Sequence, residues 1–135
     1  MDATTRLKRS DNVTFQNIAG EAILIRLDTG TYFSLNKAGT EFWEMLDGQQ
    51  TIEQHAAALA GKNNRIVQAA VDGLNDAADR VARDHGAEAQ VLIDDLRGYV
   101  QTVNHKYHVD TPRVVSDLLE IAQKMAADKL VDVVK

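Results

Sequence analysis

Apolar residues recur at period two in the first third of the chain and at period three to four after it. Val13 and Phe15 alternate with Thr14 and Gln16, which predicts a short first strand. Asn17 to Gly20 can turn the chain. In "EAILIRL", Ile23, Ile25 and Leu27 share one parity, and Leu24 and Arg26 take the other. A third strand lies within "DTGTYFSLN", Asp28 to Asn36. Two loop lengths compete before it. A two-residue loop at Thr29-Gly30 sets Leu27 against Tyr32 and Ile25 against Ser34, mixing apolar with polar. A three-residue loop, Asp28-Thr29-Gly30, sets Ile25 against Phe33 and Ile23 against Leu35, which makes one face uniformly apolar. It also puts Gly30 where a bulge needs positive φ. The expectation is therefore Ile23, Ile25, Phe33 and Leu35 inward, with Tyr32 and Ser34 on the opposite face.

The pattern then becomes helical. Asn36 is an N-cap residue, and Phe42, Trp43 and Leu46 form one apolar stripe ending at Gly48. Thr51 opens a second helix with Ile52, Ala56 and Leu59 spaced for burial. His55, among alanines, reads as a packing residue. Gly61-Lys62-Asn63-Asn64 has the composition of a turn. Arg65 to Val103 is helical throughout except around His85-Gly86. Thr111 or Asp110 caps a last helix with Pro112 in its first turn. Its broad apolar face is Val114, Val115, Leu118, Leu119, Ile121, Ala122 and Met125, and "KLVDVVK" reads as a closing strand. The fold class is α+β: an N-terminal three-stranded antiparallel sheet followed by a helical bundle. Residues 1–11 are polar and predict a flexible N-terminus.

Composition narrows the chemistry. The 135 residues fit one domain, and 44% apolar content can furnish a core. A net charge of −5 disfavours phosphate backbones as general partners. The chain has no cysteine, hence no disulfide, thiol nucleophile or thiolate metal site. No apolar run approaches a membrane span, and the basic N-terminus lacks the apolar stretch of a signal peptide. A soluble, cytoplasmic protein without membrane contact is expected. His105 and His108 stand three apart, but no third ligand accompanies them, so no metal is expected. Asp94 and Asp95, with Glu88 before them, read as a solvated helix face. Neither a nucleophile–base set nor a glycine-rich phosphate loop is legible, so no enzymatic activity and no cofactor are expected.

One ordered set of features does point somewhere. An apolar strand leads to a turn with Gly30, the aromatic pair Tyr32-Phe33, and Leu35-Asn36. The Phe42-Trp43-Leu46 stripe, Asp47-Gly48 and Thr51 follow. Over about residues 12 to 60 this set resembles the PqqD family, whose module is also called the RiPP recognition element. The resemblance implies a winged helix-turn-helix-like fold and a non-catalytic peptide-binding chaperone. Such a module captures the leader region of a ribosomally made precursor peptide and presents it to a modifying enzyme. It also implies how: the leader adds as a strand to the free edge of the third strand, in a groove against the third helix. Carried onto this chain, the edge is Thr31, Tyr32, Phe33, Ser34 and Leu35, and the groove wall is Val114, Val115, Leu118 and Leu119.

The chain departs from the family pattern between Gly61 and Tyr107. Either 61–107 is a helical insertion in a single domain spanning 12–135, or the third helix is "RIVQAAVDGLNDAAD" and the rest is an extension. The text of "RVVSDLLEIA" favours the late helix, and the position of Asp72 favours the early one. Because winged helices also read DNA, charge matters. Pro112 to Lys135 carries four cations and four anions, and Gly61 to Asn104 five and seven. Neither segment offers the basic face that nucleic acid needs. The alternative is a structural or regulatory adaptor of similar fold, its edge strand and extra helices serving protein–protein or homodimer contacts.

Overall fold

The computed structural model describes every residue, Met1 to Lys135, as two compact units. Unit 1 comprises Met1–Ala58 with Thr111–Lys135, and unit 2 is Leu59–Asp110. In unit 1 the N-terminus is not frayed as expected. Strand β1 (Arg6–Arg9) pairs antiparallel with β5 (Val131–Val134), matching Leu7 to Val133 and Arg9 to Val131. Leu7 is only 1% exposed. The backbone also reaches the next helix: the Thr5 and Ala3 carbonyls accept from the Ile52 and Glu53 amides at 3.0 and 2.9 Å. Those amides belong to the first helical turn and have no partner within it. Polar side chains thus concealed a segment whose backbone, with Leu7, does the anchoring.

The predicted three-stranded sheet is present: β2 (Val13–Ile18), β3 (Glu21–Arg26) and β4 (Tyr32–Ser34), antiparallel in that order. The β2–β3 turn has two residues, Ala19 and Gly20, with φ of 54° and 86°. This is the doubly left-handed turn whose twist suits a hairpin.

The β3–β4 register differs from the expectation by one residue. Leu24 pairs with Phe33, Ile25 with Tyr32 and Ile23 with Ser34. The loop holds four residues: Arg26 N–H donates to Thr31 O (3.0 Å), and Arg26 O accepts from Gly30 N–H (2.8 Å). Leu27 thereby leaves the strand and is 61% exposed, while Arg26 and Asp28 close the turn at 2.7 Å. One residue of slip exchanges the faces. Ala22 and Leu24 are fully buried, and Ile23 and Ile25 are half-buried on the outer side.

Helix α1 (Lys37–Met45) is capped by Asn36, whose side chain accepts from Gly39 N–H at 2.8 Å. Its stripe supplies the core: Phe42 and Trp43 are fully buried and Leu46 nearly so. Phe15 meets Trp43 edge-to-face at 5.7 Å, with the Arg9 guanidinium 5.2 Å above the Phe15 ring. Helix α2 (Ile52–His85) opens with a reciprocal cap: Thr51 Oγ1 accepts from Gln54 N–H, and Gln54 Oε1 accepts from Thr51 N–H.

The expected turn at Gly61–Asn64 does not occur, because α2 runs straight through it. Both asparagines instead make long-range bonds inside unit 2. Asn63 donates to Tyr107 O at 2.8 Å. Asn64 donates to Val109 O at 2.9 Å and accepts from Val109 N–H at 3.0 Å. The side chains that suggest a turn here serve the return segment after helix α3 (Gln90–Tyr107). The break at Gly86 is present, as a 3-10 turn over Gly86–Ala89.

Helix α4 (Thr111–Ala127) returns the chain to unit 1. Its end is a Schellman motif. Leu130 N–H donates to Met125 O and Lys129 N–H to Ala126 O, at 2.9 and 3.0 Å, with Lys129 at φ 59°. A side chain in this left-handed conformation costs about 1–2 kcal/mol. Lys129→Gly is expected to raise stability by about 0.5–1 kcal/mol, after the entropic cost of glycine, measured as a higher urea midpoint at unchanged slope. A fall in the midpoint would show that Lys129 holds the turn through contacts of its own.

Candidate functional site

Strand β4 is the open edge of its sheet, since its only strand partner is β3. Thr31 O and Leu35 N–H bond inward, to Arg26 N–H and Ala22 O. Alternation then turns Phe33 toward β3 as well, and directs the N–H and C=O groups of Tyr32 and Ser34 away from the sheet. These outward groups form the row that an extended chain can pair with.

Beside this edge lies a cleft of about 290 Å³, lined by Phe33, Ser34, Leu35, Asn36 and Gly39 on one side. The other side is Ile121, Lys124, Met125, Asp128 and Leu130. Sequence and fold combine to build it. Asn36 caps α1 directly after the strand, so Gly39 comes back against Leu35; a Cβ on Gly39 would sit 3.4 Å from Leu35 Cβ. Ile121, Lys124, Met125 and Asp128 share one helical face by their spacing. The Schellman turn then brings Leu130 onto Met125 and leads into β5. The floor is apolar, with one cation and one anion at the rim.

Three of the expected edge residues, Phe33, Ser34 and Leu35, line this cleft. Thr31 lies at the loop end of the edge. Tyr32 is 71% exposed and lies with Ile23 and Ile25 in a shallow depression on the sheet's outer face. On α4, Leu118 is buried and Val114, Val115 and Leu119 are half-buried, all outside the cleft lining. The cleft meets the C-terminal half of the helix instead. Val114, Leu118, Ile121 and Met125 continue one stripe at helical spacing, so the apolar face was legible. Which half stands beside β4 depends on the β5–β1 pairing that anchors the helix end.

His108 Nε2 lies 3.5 Å from Asp110 Oδ1, and no group of three metal-ligating side chains converges anywhere in the chain. His55, reached from α2, is 1% exposed; its ring meets Phe42 edge-to-face at 5.9 Å, and neither nitrogen has a hydrogen-bond partner. Desolvation holds its pKa below the usual histidine value, with Asp47 opposing weakly. The folded protein thus keeps His55 neutral where the unfolded chain takes up a proton. That contribution is complete above about pH 6.5 and is lost as pH falls toward the lowered pKa. Stability is expected to drop below pH 6.5 by at most about 1.4 kcal/mol per pH unit from this group. Urea midpoints across that range measure it, and His55→Leu is expected to flatten the profile. An equally steep profile in the variant would assign the drop to other groups.

The sheet with an open edge strand, a helix alongside and a cleft between them define an α+β, winged-helix-like domain. Comparison with known proteins agrees with the family resemblance. Residues 21–72 match the family described as coenzyme PQQ synthesis protein D (PqqD). That span holds β3, β4, α1 and the first part of α2, and so the strand side of the cleft; α4 and β5 lie beyond it. No curated protein sequence matches the chain. Among solved structures, "TbiB1 in Complex with the TbiA(beta) Leader Peptide" is similar at a TM-score of 0.56 and 22% identity. The likeness covers 93% of this chain and 94% of that one.

Proposed function

We propose that this protein is a non-catalytic recognition module for the leader region of a ribosomally synthesised precursor peptide, which it presents to a modifying enzyme. The observation that carries the reading is the open β4 edge beside an apolar cleft, the edge and the strand side of the cleft falling inside the segment that matches the PqqD family. The similarity to the structure of TbiB1 in complex with the TbiA(beta) leader peptide supports it. In this reading the leader adds as a strand along Thr31 to Leu35. Backbone bonds to Tyr32 and Ser34 supply affinity with little sequence demand. The cleft between Phe33, Leu35, Ile121 and Met125 selects side chains, since alternate residues of an added strand point to one side. Val114, Val115, Leu118 and Leu119 extend the helical wall beyond the cleft. The adjoining enzyme supplies the chemistry, and this chain supplies position.

Fluorescence anisotropy tests the proposal directly. The N-terminal segment of a short peptide encoded beside the gene is labelled and titrated with the protein, against a scrambled control. Saturable binding of the true sequence alone is expected. Absence of binding by the folded protein would overturn the reading in favour of an adaptor role.

A further inference from the structure

The α2–α3 hairpin of unit 2 has an apolar side that its own fold does not cover. Its seam buries Val67, Val71 and Val103, with Leu74 and Val100 packed against them. Two helices form a single layer, and a layer with apolar residues on a second side needs something against it. Here that side is a groove of about 490 Å³ whose walls include Ile66, Ala70, Leu74, Tyr99, Val103 and Tyr107. Ile66 is 63% exposed, Tyr99 56% and Tyr107 50%. Large exposed side chains grouped in one groove mark an interaction surface rather than chance exposure.

Charge identifies the occupant. The open end of the hairpin carries Arg65 and Lys106 against Asp110, and is net positive. The end at the Gly86 turn carries Asp76, Asp79, Asp84, Glu88, Asp94 and Asp95 against three arginines, and is net negative. A surface with an apolar middle and opposite charges at its two ends is complementary to itself when reversed. That is the requirement of a two-fold interface, in which the same patch serves both subunits. We propose that this hairpin pairs antiparallel with the hairpin of a second copy, closing a four-helix bundle around the groove. The reversed arrangement sets each positive end on the partner's negative end, whereas a parallel one sets like on like.

The test is sedimentation of the full-length chain over a concentration series reaching about 100 µM, weaker than most specific interfaces. A concentration-dependent dimer is expected. Ile66→Glu and Tyr99→Glu are each expected to raise its dissociation constant about 30-fold or more, as loss of a central apolar contact does. Ile66→Ala and Tyr99→Ala are expected to act in the same direction by smaller factors and serve where the glutamate variants do not fold. Val91→Ser, at a side chain 77% exposed and outside the groove and with no change of charge, is expected to change nothing. Raising salt is expected to weaken the dimer severalfold by screening the paired ends. A monomer at every concentration overturns the proposal and leaves the groove to another protein. A dimer indifferent to Ile66 and Tyr99 overturns the surface, and one strengthened by salt overturns the antiparallel arrangement.

Discussion

Tyr32→Pro and Ser34→Pro are each expected to weaken leader binding by about 10- to 100-fold while the protein stays folded. The cause is hydrogen-bond direction. Thr31 and Leu35 commit their backbone groups to β3, so the intervening Tyr32 and Ser34 aim theirs out of the sheet. Proline at an outward position removes no internal bond, and prolines are tolerated on edge strands for that reason. An added strand, however, loses a donor and meets the ring. One backbone bond is worth about 0.5–1.5 kcal/mol net, and the ring's obstruction adds to this; each 1.4 kcal/mol is tenfold in affinity. Phe33→Pro is the contrasting case. Its N–H faces β3, so that variant is expected to lower the melting temperature as well. Anisotropy titration and thermal melts of the three variants separate the effects. Full affinity in a folded Tyr32→Pro and Ser34→Pro pair would show that the peptide does not add to β4.

Leu24→Ala is expected to cost about 2–5 kcal/mol, and Ile25→Ala less than about 1 kcal/mol. Adjacent branched aliphatic residues on one strand differ so widely because of register alone. Leu24 is fully buried opposite Phe33, whereas Ile25 lies half-buried opposite the exposed Tyr32. Urea denaturation of the two variants measures the difference. The reverse order of costs would mean that Ile25, not Leu24, faces the core, as the three-residue loop requires. The function is coupled to this register. A one-residue slip would turn Phe33 out of the cleft and direct its backbone to the open edge, changing both the pocket and the row of donors.

How far the sequence reaches is visible in these same residues. From β2 onward most element types were legible, because periodicity, caps and turn residues act locally. Asn36 and Thr51 cap the helices they precede, Phe42 and Trp43 are buried, and the chain breaks at Gly86. So was the likeness to PqqD, carried by the ordered set from the turn at Gly30 to Thr51. What failed locally failed for one reason: a partner distant in the chain outweighed the local signal. Arg6–Arg9 looked frayed until Val131–Val134 paired with it. Asn63 and Asn64 looked like a turn until Tyr107 and Val109 took their side chains. The β3–β4 loop looked like three residues because both faces of β3 are apolar, and only burial under α1 distinguishes Leu24 from Ile25.

The sequence by itself therefore determined a strand-rich start, a helical remainder, an apolar face on the last helix and no legible catalytic set. Tertiary structure alone decided the register of β4, and hence which backbone groups are free. It also decided which half of α4 forms the cleft wall, because the pairing of β5 with β1 anchors that helix at its C-terminal end. A period of two or of 3.6 specifies that a side is apolar, but only the distant element packed there specifies which residues of that side meet a ligand.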